Sequence, residues 1–116
     1  MHTIFEIKEY LEAGHSPFAE WFNSLDAVTA ARVDKYIRRL EAGIFVSAKS
    51  LQEGVFELKM DFGPGYRVYF GRDGKIIIIL LSGGSKRRQS ADIAVAIERW
   101  KRYKQTKVEN GTDTRI

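Results

Sequence analysis

The sequence predicts a single α+β domain in which a strand and a helical hairpin pack on an antiparallel β-sheet and a C-terminal helix follows. Two observations carry that expectation. Apolar residues keep helical spacing as far as Leu40, alternate from Phe56, and return to helical spacing after Ser90. Two turn signals, Phe62-Gly63-Pro64-Gly65 and Asp73-Gly74, divide the alternating stretch into strands. With 116 residues the chain has the size of one domain, and such a domain hides somewhat under roughly 70% of its unfolded surface.

The elements follow in order. Thr3 to Lys8 sets Ile4 and Glu6 against Phe5 and Ile7 and reads as a short strand. Ser16-Pro17 announces a helix, because serine caps free N–H groups and proline is tolerated at the first helical position. Phe18, Trp21, Phe22 and Leu25 give it one apolar stripe. A second helix is expected from about Asp26 to Ala42, with Ala30, Val33, Ile37 and Leu40 inward and Gly43 as its stop. The short link Ser24 to Asp26 makes the two an antiparallel hairpin.

A loop is expected around Ser47 to Gly54. Beyond it Phe56, Leu58 and Met60 point one way and Glu57, Lys59 and Asp61 the other. After the Phe62 to Gly65 turn, pairing Asp61 with Arg67 and Lys59 with Tyr69 collects Glu57, Lys59, Asp61, Arg67 and Tyr69 on one polar face. Lys75 to Leu81 is apolar on both faces and reads as a central strand. If residues 72 and 75 close the Asp73-Gly74 turn, Leu80 lies across from Arg67 and Ile78 across from Tyr69, flooring the polar face. Ser82-Gly83-Gly84-Ser85 reads as a flexible corner. Ser90 is the expected cap of a last helix that turns Ile93, Ile97 and Trp100 inward. The domain is expected to span 1–105, with 106–116 as a flexible tail.

Composition narrows the function. Hydrophobic residues make up 44% and charged residues 29%, values of a chain that folds. The sequence has no cysteine, so a disulfide framework, a thiolate metal site and a cysteine nucleophile are all excluded. His2 and His15 lack metal-ligand partners at useful spacing and read as surface residues; no metal or cofactor is expected. Met1 to Tyr10 carries no basic leader, and the longest apolar run, Ile76 to Leu81, is far too short to cross a bilayer. A cytoplasmic protein without a membrane span is the expectation. The net charge of +4 is unevenly spread. Residues 1–62 hold seven basic against ten acidic side chains, and residues 63–116 hold twelve against five. A positive field concentrated in one half attracts polyanions, so nucleic acid is the first partner to consider.

Glu57-Leu58-Lys59-Met60-Asp61-Phe62-Gly63-Pro64-Gly65-Tyr66-Arg67-Val68-Tyr69-Phe70 resembles the central segment of the addiction-module killer proteins, a HigB-like subgroup of the RelE/ParE toxin superfamily. Leu80-Leu81-Ser82-Gly83-Gly84-Ser85-Lys86, with Gln89 and Asp92-Ile93, is similar to the same family's last strand, corner and final helix. The resemblance spans roughly residues 3–105. It implies the toxin of a type II toxin-antitoxin system, with the helical hairpin on one face of the sheet and a functional concave face opposite. It also implies a cognate antitoxin, often a helix-turn-helix DNA-binding protein, and, for RelE-like members, cleavage of mRNA on the ribosome. ParE-like members poison DNA gyrase instead, and a toxin fold can persist as a non-cleaving binding module. The fold alone does not choose among these.

Metal-independent RNA cleavage needs a base for the ribose 2′-hydroxyl, positive charge at the developing phosphorane and an acid for the leaving oxygen. The expected catalytic residues are Lys59, Arg67 and Lys86. Arg67 can hold a phosphate through its fork or pair across strands with Asp61. Lys59 can act as phosphate ligand or as a base, and Lys86 matches the family's lysine after the glycine corner. Tyr69, Arg87 and Arg88 are the expected RNA-binding residues, Tyr69 by stacking on a base and the arginines by backbone contact. The chain departs from several RNA-cleaving relatives at the last helix, where they carry tyrosine or histidine and this sequence reads Ser90-Ala91-Asp92-Ile93.

Overall fold

In the computed structural model, which describes residues 4–110, both helices of the hairpin begin where their caps place them. The Ser16 hydroxyl accepts from the Ala19 N–H at 2.9 Å and Pro17 opens α1, Pro17–Asn23. The Asp26 carboxylate accepts from the Thr29 N–H at 2.8 Å and starts α2, Ala27–Glu41. Gly43 turns the chain out of α2 with φ 86°.

Five strands form one sheet: β1 (Glu6–Glu9), β2 (Ala48–Ser50), β3 (Val55–Lys59), β4 (Tyr66–Asp73) and β5 (Ile77–Ser85), in the order β1-β5-β4-β3-β2. The expected first strand shortens to β1, and its Thr3 lies outside the described residues, as does His2. β2 occupies part of the expected loop. The sheet is mixed, which corrects the antiparallel expectation: β1 runs parallel to β5, pairing Glu6 with Ile77 and Glu9 with Leu80. The helical hairpin is the crossover that brings the meander β2 to β5 back alongside β1. β5 thereby gains neighbours on both edges, which suits its two-faced apolar run.

The β4–β5 register differs from expectation, and the turn explains it. Asp73 pairs with Ile77, so Gly74, Lys75 and Ile76 form a three-residue loop in place of the two-residue turn. The resulting shift is odd, and an odd shift sends every side chain to the opposite face. Ile78 and Leu80 therefore lie in the core beneath the helical hairpin with Phe18, Val33, Ile37, Leu40, Val68 and Phe70, instead of flooring the polar face. A bulge between Tyr69 and Phe70 then leaves Leu81 as the extra residue, and Tyr69 pairs with Ser82 and Arg67 with Gly84.

Ser82 to Ser85 belongs to β5 and is not a corner. Its glycines admit close neighbours: a Cβ on Gly83 would strike the Trp21 indole, and one on Gly84 would strike the Asp92 carboxylate. A short 3-10 turn, Lys86–Arg88, leads into α3, Gln89–Asn110, so Ser90 lies inside the helix and does not cap it. α3 covers the sheet face opposite the hairpin. Ala96 and Trp100 pack there on Val55, Tyr69, Ile79 and Leu81, with Ile93, Ile97 and Tyr103 at the margin. α3 also continues through Thr106 to Asn110, where the sequence suggests a tail; residues 111–116 lie outside the described part. Among the described residues no helix is long and apolar enough to cross a membrane.

Candidate functional site

Lys59, Arg67 and Lys86 meet at the end of the sheet where the β3–β4 turn, the end of β5 and the 3-10 turn converge. All three line an open cavity of about 460 Å³, together with Asp61 and the turn residues 62–65. The β3–β4 register places Lys59 directly across from Arg67 and Glu57 across from Tyr69. The sequence reading puts Asp61 and Lys59 at those places. The difference is two residues, an even shift, so the faces stay as expected.

One backbone oxygen organises the cavity wall. The Gly65 carbonyl accepts from the Lys86 N–H at 2.8 Å and from Arg67 Nη1 at 2.6 Å. Gly65 itself has φ 77°, and a Cβ there would lie 3.1 Å from Arg67 Nη1 and 3.2 Å from Lys86 Cβ. Turn, guanidinium and Lys86 are thus fixed to one point.

Arg67 is only 4% exposed. Its partner is Glu57 and not Asp61: Arg67 Nε lies 3.2 Å from Glu57 Oε2 in a buried ion pair, although the Nε–H does not point at that oxygen. The same Oε2 accepts from Gln89 Nε2 at 2.6 Å. Lys59 is exposed at the rim, 3.9 Å from the exposed Asp61 carboxylate, a contact worth about 0–1 kcal/mol. Lys86, Arg87 and Arg88 are exposed and line a second opening with Gln89, Ser90 and Ala91.

Tyr69 is fully buried in the core beneath α3, so its ring presents no face to solvent for a nucleic-acid base. Burial, then the nearby Glu57 and Asp92 carboxylates, push its hydroxyl well above the usual phenol range, against a smaller opposing effect of Arg67. Tyr69 Oη and Ser82 Oγ are buried without hydrogen-bond partners. Asp92 rests against Gly84, and burial raises its carboxyl while Arg88 and Arg99 oppose that rise.

The sequence reading names the three cations of the cavity but misses the roles of Glu57, Gln89 and Gly65. Glu57 stands on the correct face there, and only the register slip hides its pairing with Arg67. Gln89 belongs to a segment singled out for its resemblance alone. His15 is exposed in the loop after β1, away from the cavity wall. Among the described residues no group of three or more histidine, aspartate or glutamate side chains is placed to hold a metal ion. A further cavity of about 440 Å³ lies between β1 and the far half of α3, lined by Tyr10, Ile77, Tyr103 and Lys107; none of the expected site residues reaches it.

The arrangement suits an anionic, phosphate-bearing ligand. Two exposed cations stand at the rim, and a third, buried cation forms the wall. A family model described as "Phage derived protein Gp49-like (DUF891)" matches residues 20–101, a span that includes every residue of this cavity. An uncharacterized protein of Haemophilus influenzae is 41% identical over 80 residues, covering 68% of this chain and 81% of that protein.

Proposed function

The chain belongs to the phage-derived Gp49-like family, and from that membership together with its cation-lined cavity we propose that it is the toxin of a type II toxin-antitoxin system, acting in the cytoplasm as a ribosome-dependent mRNA endonuclease. The observation that carries this reading is the convergence of Lys59, Arg67 and Lys86 on one cavity. A phosphodiester in that cavity meets Lys59 and Lys86 from the rim and the guanidinium of Arg67 from the wall. As the ribose 2′-oxygen gives up its proton to water and attacks phosphorus, the P–O5′ bond breaks to leave a 2′,3′-cyclic phosphate and a 5′-oxygen that takes a proton from water. The negative charge that grows on the non-bridging oxygens meanwhile is stabilised by these cations more in the transition state than in the ground state. Arg87 and Arg88 extend the positive surface along the RNA backbone. The RelE/ParE-like fold, the HigB-like subgroup and a helix-turn-helix antitoxin as partner belong to the same proposal.

The test is translation in a purified ribosome system, with mRNA 5′ ends mapped by primer extension. The control variant matters. Arg67→Ala would strand a buried carboxylate and cost about 3–5 kcal/mol of stability, so loss of activity could mean loss of fold. Lys59→Ala combined with Lys86→Ala removes two exposed cations and leaves the Glu57–Arg67 pair intact. New cuts in the ribosomal A site that vanish in the double variant support the reading. Unchanged mRNA with inhibited DNA supercoiling by gyrase would replace it with the ParE-like activity, and inertness in both assays would leave a binding module.

A further inference from the structure

Glu57 is an expensive residue to bury. Its side chain is 3% exposed and that of Arg67 5%. Taking both charges out of water costs several kcal/mol each, and apolar residues of similar volume often serve a fold as well or better. Stability alone therefore accounts poorly for the pair. Its position suggests another use, because Arg67 is the one cavity cation that cannot swing freely.

Two contacts from different elements hold that guanidinium, and a third supports one of them. Glu57 on β3 faces Nε at 3.2 Å, the Gly65 carbonyl of the β3–β4 turn holds Nη1 at 2.6 Å, and Gln89, the first residue of α3, holds Glu57 at 2.6 Å. Arg67 also lines the cavity. A free arginine side chain carries about 2 kcal/mol of rotamer entropy that a ligand must remove; here burial, the Gly65 carbonyl and Glu57 restrict it before any ligand arrives.

We infer that Glu57 is a positioning residue, which with Gln89 as its support holds the Arg67 guanidinium in register with a phosphate in the cavity. The inference rests on the phosphodiester reading above and adds two residues to it. Glu57 touches no substrate. It acts through Arg67, and Gln89 acts through Glu57, so the start of α3 is coupled to the cavity wall.

The experiment uses the full chain and two variants. Glu57→Gln keeps the shape and removes the charge; Gln89→Leu keeps the Glu57 charge and removes its support. Near-UV circular dichroism establishes that each is folded. Single-turnover cleavage on ribosomes is read beside the Nε–Hε magnetic resonance signal of Arg67, in the absence and presence of a short 2′-O-methyl oligouridine that cannot be cleaved. The expected result for Glu57→Gln is a cleavage rate lower by about 100-fold, the scale of a displaced catalytic group, with KM for ribosomes and oligouridine affinity little changed. Its Arg67 signal should also lose its distinct position. Gln89→Leu should move both readouts in the same direction by a smaller factor, and it decides the matter if Glu57→Gln does not fold. A folded variant with the wild-type rate and an unmoved Arg67 signal overturns the positioning role while the nuclease reading stands. A wild type that neither cleaves nor binds the oligouridine overturns the phosphodiester reading, and the positioning role with it.

Discussion

The indole of Trp100 lies against Gly71, so close that a Cβ at Gly71 would overlap the ring. This contact joins α3 to the middle of β4. Gly71→Ala would ordinarily help a strand, because glycine is a poor strand residue. Here the added methyl must push Trp100 and α3 off the sheet. The variant should lose about 1–3 kcal/mol, the cost of an overpacked core. Urea denaturation followed by tryptophan fluorescence measures it, and unchanged stability would show that α3 is not seated as described.

Ala13 presents the opposite case. It has φ 52° and is followed by Gly14 with φ 81°, and the N–H and carbonyl groups of Glu12 and His15 bond each other across the pair at 2.7 and 3.0 Å. This is a two-residue reversal with both central residues left-handed, for which Asn-Gly is the favoured pair. A left-handed residue with a Cβ costs about 1–2 kcal/mol, and asparagine tolerates the region better than alanine. Ala13→Asn should raise stability by somewhat under about 1 kcal/mol, read as a higher denaturation midpoint at constant slope. Gly14→Ala should lower it, although nothing lies within 4 Å of the new methyl.

Local chemistry made part of this structure readable and left the rest hidden. Ser16-Pro17, Asp26 and Gly43 set the hairpin helices within a residue or two of their observed ends, because caps act on adjacent backbone groups. The faces of β3 and β4 follow from alternation, which survives an even slip in register. Three things were not local. The Gly74 to Ile76 loop and the bulge at Leu81 both shift parity, and nothing in Asp73-Gly74 distinguishes a two-residue turn from a three-residue one. The parallel union of β1 with β5 joins segments about seventy residues apart. The Arg67–Glu57–Gln89 chain depends on the β3–β4 register and on where β5 delivers the start of α3, so the cations were legible and their support was not.

Asp73 explains why α3 outruns its expected end. Its carboxylate accepts from Tyr103 Oη at 2.6 Å and from Lys107 Nζ, tying the last turns of α3 to the end of β4. Burial would raise this carboxyl, but the bonds from Lys107 and Tyr103 and the charge of Lys107 outweigh it and hold it below the ordinary carboxylate value of 3.8. The folded state thus binds this proton more weakly than the unfolded chain does. The resulting stability is fully present above the unfolded value and is lost as the pH falls through the lower folded value. Asp73→Asn should therefore be less stable than wild type at neutral pH, with the gap closing in acid. A gap independent of pH would mean that the contact is not electrostatic.

Tyr69 tests the division between core and surface. Its hydroxyl is buried without a partner, and an unsatisfied buried polar group costs about 1–3 kcal/mol. Tyr69→Phe removes the hydroxyl and keeps the ring that packs beneath α3, so it should be as stable as wild type or more stable by about 1 kcal/mol. A clear loss of stability would show that the hydroxyl has a partner, with Ser82, its cross-strand neighbour, the nearest residue to examine.

The exposed cations give a prediction that separates binding from chemistry. Lys59, Lys86, Arg87 and Arg88 are all exposed, whereas Arg67 is buried and partly neutralised by Glu57. Each exposed cation that contacts a phosphate of single-stranded RNA contributes about 0.7 to the slope of log affinity against log salt. Arg87→Ala and Arg88→Ala should each flatten that slope by about this amount, as measured by fluorescence anisotropy with an uncleavable RNA. They should leave the ribosome-dependent cleavage rate at saturation nearly unchanged, because they stand outside the cavity. Lys86→Ala should flatten the slope similarly and also slow cleavage, since Lys86 lines the cavity that holds Arg67. If all three variants slow cleavage equally at saturation, the cavity is not where the phosphodiester reacts.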